Sequence, residues 1–206
     1  MKKTYLLMAL LCMVCGTAGI VRGDIVTRSQ GEAAADFARR YAPKDSEMTE
    51  KVVETEVFGA KRAVIAFYKL EFQAKYDYTE VHGYLYIPRD GDEYDRILIN
   101  NFEEEGATPK IEAVFFANAD KDAARELIVI CSWRQEHYDV DGTLYATYIF
   151  DDIGRDKIPE RLTYLKKISE RVSGGCDCNY RDKTKPDKRF ETAVQVRTGL
   201  KKLGYR

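Results

Sequence analysis

The chain has 206 residues, with 33 Lys and Arg against 34 Asp and Glu and a formal net charge of −1. That balance excludes the strongly basic character on which phosphate-backbone binding depends, so no nucleic-acid partner is expected. The size suits a single domain.

Lys2 and Lys3 open the chain, an apolar run follows over 5–15, and small residues come next at Gly16, Thr17, Ala18 and Gly19. A basic start, a short apolar core and a small-residue exit are the demands of a secretory signal peptide. The run is shorter than the roughly 20 apolar residues that span a bilayer. Residues 1–23 are therefore read as a signal peptide, cut after Ala18 or after Gly23, and 24–206 as one globular domain. The expected location is periplasmic or secreted, with no transmembrane segment after processing. A lipoprotein acylated at Cys15 is the alternative, although Cys12, Met13 and Val14 fit the acylation motif poorly. Charge is uneven beyond this segment: 24–154 carries 15 basic and 27 acidic residues, and 155–206 carries 15 basic and 7 acidic. Basic helices beside an acidic sheet would neutralise one another; the other reading is an anionic partner for the tail.

In chain order, Ser29 and Glu32 have the spacing of a capping box and predict a helix to about Ala42, stopped by Pro43. Strands are predicted over 51–58, 63–74, 80–87, 96–102, 111–117, 126–133 and 143–150. The 80–87 segment alternates, with Val81, Gly83, Leu85 and Ile87 on one face and His82, Tyr84 and Tyr86 on the other. Leu127 to Cys131 is continuously apolar, which predicts a central strand covered on both faces. Short, hairpin-like connections predict an antiparallel meander of six to seven strands in one sheet. The tail returns to helix from Pro159 to Gly174, with Leu162, Leu165, Ile168 and Val172 on one face. A charged loop carries Cys176 and Cys178, and a last helix offers Phe190, Val194, Leu200 and Leu203. The expected class is α+β with one N-terminal and two C-terminal helices.

One connection has chemical specificity. Asn118, Asp120, Asp122 and Glu126 stand at positions one, three, five and nine of a loop between two strands. A tight loop with oxygen-bearing side chains at alternate positions suits a hard cation, which takes six to eight oxygens. The segment resembles an FG-GAP/VCBS element, the calcium-loop-and-strand unit of integrin-like propellers, over residues 118–130 only. The resemblance implies calcium as the cofactor, with Asn118, Asp120, Asp122 and Glu126 as side-chain ligands and Ala124 offering its carbonyl. Ala123 stands where the family has Gly, Asn118 where it has Asp, and one copy is present where a propeller needs several. The other reading is a polar hairpin whose acids are balanced by Lys121 and Arg125.

Other constellations point less sharply. Asp139 to Gly142 reads as a turn. His82 and His137 are too few for a usual zinc site. Among Cys131, Cys176 and Cys178, either Cys176 and Cys178 pair with each other or one of them pairs with Cys131. No Gly-x-Ser-x-Gly elbow, no His-Glu-x-x-His helix and no Gly-rich phosphate loop is present. His82, Tyr84 and Tyr86 would form a recognition face if that side of the strand is open. The sequence thus points first to an exported binding protein with a protein or glycan partner. Its alternatives are an enzyme acting on an envelope or extracellular polymer, and an inhibitor of a partner enzyme.

Overall fold

The computed structural model describes residues 24–58, 61–153, 158–182 and 189–205, so the segment predicted to be a signal peptide, with its expected cleavage points and Cys15, lies outside the described residues. The elements in order are β1 (Asp24–Thr27), α1 (Ala34–Arg40), β2 (Ser46–Thr55), β3 (Ala63–Phe72), β4 (Tyr78–Pro88), β5 (Glu93–Phe102), β6 (Lys110–Ala117), β7 (Glu126–Glu136), β8 (Val140–Phe150), α2 (Lys166–Arg171), β9 (Cys176–Tyr180) and α3 (Ala193–Lys202). The class is α+β and every pairing between named strands is antiparallel. The single meander divides, however. One sheet has the order β1-β5-β4-β3-β2 and the second β6-β7-β8-β9.

The division follows from what each strand face must bury. Ile65, Phe67, Leu85 and Ile97 of the first sheet meet Leu127, Val129, Cys131 and Trp133 of the second in one apolar seam. Phe37 and Ala38 of α1 cover the outer face of the first sheet at Val64, Ala66 and Tyr86. Ile168, Val172, Val196 and Leu200 cover the outer face of the second at Ile128, Ile130 and Ile149. The result is four layers, helix–sheet–sheet–helix. The apolar run predicted to be central is central: β7 lies between β6 and β8 and is buried from Glu126 to Trp133.

The helices differ from expectation for local reasons. Ser29 and Glu32 form a turn, with the Ser29 N–H donating to Glu32 Oε2 at 2.9 Å. Gly31 adopts φ +77°, so the helix starts only at Ala34. The predicted helix from Pro159 shrinks to α2. Its first half is an extended strap, because Leu162 enters the inter-sheet seam and its N–H bonds Leu98 O at 2.9 Å. On α3, Val196 is buried while Val194 is 73% exposed. Thr192 and Gln195 supply its capping box.

Residues 176–180 are not a loop but the edge strand β9, in which Cys176 and Cys178 are joined as a disulfide while Cys131 is free and buried. The turn expected at Asp139 to Gly142 lies earlier: Glu136 pairs with Asp141, and Gly142 sits inside β8 opposite Cys178. A methyl group at Gly142 would run into the Asp177 carbonyl and lie 2.5 Å from Cys178 Cα. Substituting Gly142→Ala is therefore expected to cost about 1–3 kcal/mol, the range for forced overpacking, and to strip β9 amides of protection. Urea denaturation with amide hydrogen exchange checks both.

Candidate cation site

The connection between β6 and β7 is a hairpin closed by the pair Ala117 and Glu126. Three hydrogen bonds shape it internally. The Asn118 side-chain amide donates to Asp122 O at 2.8 Å, and the Asp122 N–H donates to Asp120 Oδ1 at 2.8 Å. The Ala124 N–H donates to Asp122 Oδ1 at 2.7 Å. Such side-chain-to-backbone turns are what Asp and Asn favour. Ala123 does not take a positive φ, so Ala in place of Gly carries no backbone strain there.

Glu126 is the first residue of β7, and the burial of that strand carries its side chain fully out of solvent. Its Oε2 accepts from the Ala119 N–H, while its Oε1 is buried with no hydrogen-bond partner among the described residues. Asn118 Oδ1 is buried and unpartnered in the same way. Neither Lys121 nor Arg125 forms an ion pair with these acids among the described residues, so the balanced-hairpin reading lacks its bonds.

Sequence reasoning missed two further acids. In the β7–β8 ladder Leu127 pairs with Phe150, so continuing the register brings Asp151 level with Glu126. Ligand atoms of Asp120, Glu126 and Asp151 lie within 4.8 Å of one another, and so do those of Asp122, Glu126 and Asp152. The signal was present as two consecutive acids directly after an apolar strand. Reading it required the hairpin register, and a turn placed at Asp139 to Gly142 hides that register.

Burial pushes the Glu126 carboxyl up to about 7, and the charges of Asp120 and Asp122 add to the shift. Burial also raises Asp152, helped by Asp122, Asp151 and Asp120. Crowded, desolvated carboxylates of this kind suit a divalent cation, whose charge replaces the missing protons. The orphaned oxygens of Glu126 and Asn118 fit the same purpose, so the acid cluster has the donors to hold a metal ion.

A cleft of about 630 Å³ adjoins the cluster. Val57, Phe58, Ile87 and Ile153 supply apolar lining, and Asp152 and Arg125 supply polar groups.

The remaining candidates lie elsewhere. Tyr86 is fully buried, its hydroxyl 2.9 Å from that of Tyr68, which donates to Ala38 O at 2.7 Å. Tyr84 lies under the Arg96 guanidinium at 4.0 Å, and His82 is half-buried and 2.6 Å from Glu80. The face carrying His82, Tyr84 and Tyr86 is covered by α1 at Tyr86, where Phe37 packs on the ring, and Tyr84 is partly buried against the same cluster, so the three residues do not form one open surface.

The raised Glu126 value sets a pH dependence for the cation-free protein. The unfolded chain sheds this proton near the ordinary value of 4.5, and the folded chain keeps it until about 7. Between those values the folded state binds more protons, so this group's contribution to stability falls as pH rises. The loss is on the order of 3 kcal/mol by pH 8. Denaturation in excess chelator at pH 5 and pH 8 is expected to show that drop in the wild-type chain, and Glu126→Gln is expected to flatten it. Compared with known proteins, the chain matches no family model, no curated protein and no solved structure.

Proposed function

We propose that the chain is an exported binding protein whose β6–β7 loop is braced by calcium, with the adjoining cleft as its recognition surface. The observation that carries this reading is the fully buried Glu126 carboxylate with one bare oxygen, surrounded by further carboxylates. A buried, unpaired anion is costly, and a cation is the natural partner where further carboxylates crowd it. Asn118, Asp120, Asp122 and Glu126 stand at the positions that the FG-GAP/VCBS resemblance assigns to ligands. Oxygen-only donors favour calcium or magnesium over softer metals, and an irregular, protein-rich oxygen shell favours calcium. The sequence of the first 23 residues supports export, into a compartment where calcium is a common structural ion.

The cleft supports binding rather than catalysis. Its volume falls in the range of small-molecule sites, and its lining is largely apolar with few polar groups. His82 lies 2.6 Å from Glu80 and does not line the cleft.

An ion that binds only the folded state stabilises it by about 2.7 kcal/mol at a hundredfold excess over Kd. For a domain of this size that corresponds to a rise in Tm of roughly 5–10 °C. Thermal unfolding with calcium and with chelator is expected to differ by that amount, and Asp120→Ala combined with Asp122→Ala is expected to abolish the difference. Identical melting with calcium and with chelator in the wild-type chain would remove calcium from the account.

A further inference from the structure

Oxygens bound to one calcium ion at about 2.4 Å lie no more than about 5 Å from one another, since trans ligands are two bond lengths apart. Five carboxylates crowd this corner of the molecule, and they satisfy the condition as two sets. Asp120, Glu126 and Asp151 make one, and Asp122, Glu126 and Asp152 make the other. Glu126 is the sole member of both.

We infer that the corner holds two calcium ions bridged by the Glu126 carboxylate, which deepens the calcium-brace reading and rests on it. The first independent support is the bridging group itself. Glu126 has no solvent exposure, its Oε2 is engaged by the Ala119 N–H, and its Oε1 has no partner among the described residues. Asn118 Oδ1, buried and equally bare, adds a neutral donor at the start of the loop.

Charge is the second. Five ionised carboxylates carry −5, so a single divalent ion leaves three negative charges in a half-dry corner, whereas two ions leave one. Neither Lys121 nor Arg125 forms an ion pair with these acids among the described residues, so the neutralisation falls to bound ions.

The third is the origin of the ligands. The β6–β7 loop supplies Asp120 to one set and Asp122 to the other, and the exit of β8 supplies Asp151 and Asp152 in the same order. Each ion therefore ties the loop to the neighbouring strand end, and Glu126, at the start of the strand between them, serves both. The two positions are not equivalent. Asp152, a member of one set only, also lines the cleft, whereas no member of the other set does.

Native mass spectrometry and titration calorimetry of the purified chain with calcium read this directly. Two ions per chain are expected for the wild type and one each for the isosteric variants Asp151→Asn and Asp152→Asn. Glu126→Gln is expected to weaken both sites by at least tenfold. Far-UV circular dichroism identifies any variant that has failed to fold, and wild-type stoichiometry stands as a measurement without variants. One ion in the wild type would overturn the two-centre inference and leave the single calcium brace intact. No bound ion would overturn both. Two ions that persist in both Asp→Asn variants would overturn the assignment of Asp151 and Asp152.

Discussion

Strand β7 has no solvent-facing side from Glu126 to Trp133. Leu127, Val129, Cys131 and Trp133 press into the seam between the sheets, while Ile128 and Ile130 press into the helical layer. Burying an aliphatic side chain of this size is worth about 1.5–3 kcal/mol, so this one strand anchors two of the three cores. Everything attached to β7 inherits its placement. The β6 and β8 ladders are registered on it, the two C-terminal helices pack over it, and the strap at Leu162 closes the seam it lines.

That placement also explains why a glutamate is inside the protein. Glu126 is where the strand begins, and the ladder leaves its carboxylate no route to water. The fold thus creates an electrostatic debt at the point where an apolar strand meets a polar turn. Functional centres often sit at such boundaries, because a rigid element fixes one ligand while the turn supplies the others. Here the loop amide of Ala119 satisfies one carboxylate oxygen and leaves the second buried without a partner among the described residues. Burial raises both Glu126 and Asp152, and the charges of Asp120 and Asp122 add to both shifts, so the cluster carries an electrostatic cost.

Much of the sheet structure was legible because strand period and burial write themselves into residue order. The 80–87 alternation places Leu85 in the inter-sheet seam and Tyr86 under α1. The unbroken apolar run of β7 marked a strand covered twice. What could not be read was partition. A strand in a sandwich and a strand in a single meander show the same alternation, so nothing local separates β5 from β6 into different sheets. The outward face of β4 illustrates the limit: His82, Tyr84 and Tyr86 suit an open surface as well as one roofed by a helix. The strap before α2 failed for a related reason. Leu162 and Leu165 keep helical spacing, but Leu162 is drawn between the sheets and its backbone bonds Leu98. Three acids of the cluster, Asp120, Asp122 and Glu126, were visible as a motif; Asp151 and Asp152 arrive from a different hairpin arm, where only register could bring them.

Trp133 is the single tryptophan of the chain, almost fully buried, with its indole N–H donating to Glu103 O at 2.9 Å. Its ring lies at the far end of the strand that begins with Glu126. The native molecule therefore carries one indole fluorophore, excitable apart from its tyrosines, seated in a dry environment between the sheets and joined by a continuous strand to the acidic corner. Its emission reports separation of the two sheets without a label, and it is shielded from quenchers that stay in bulk water.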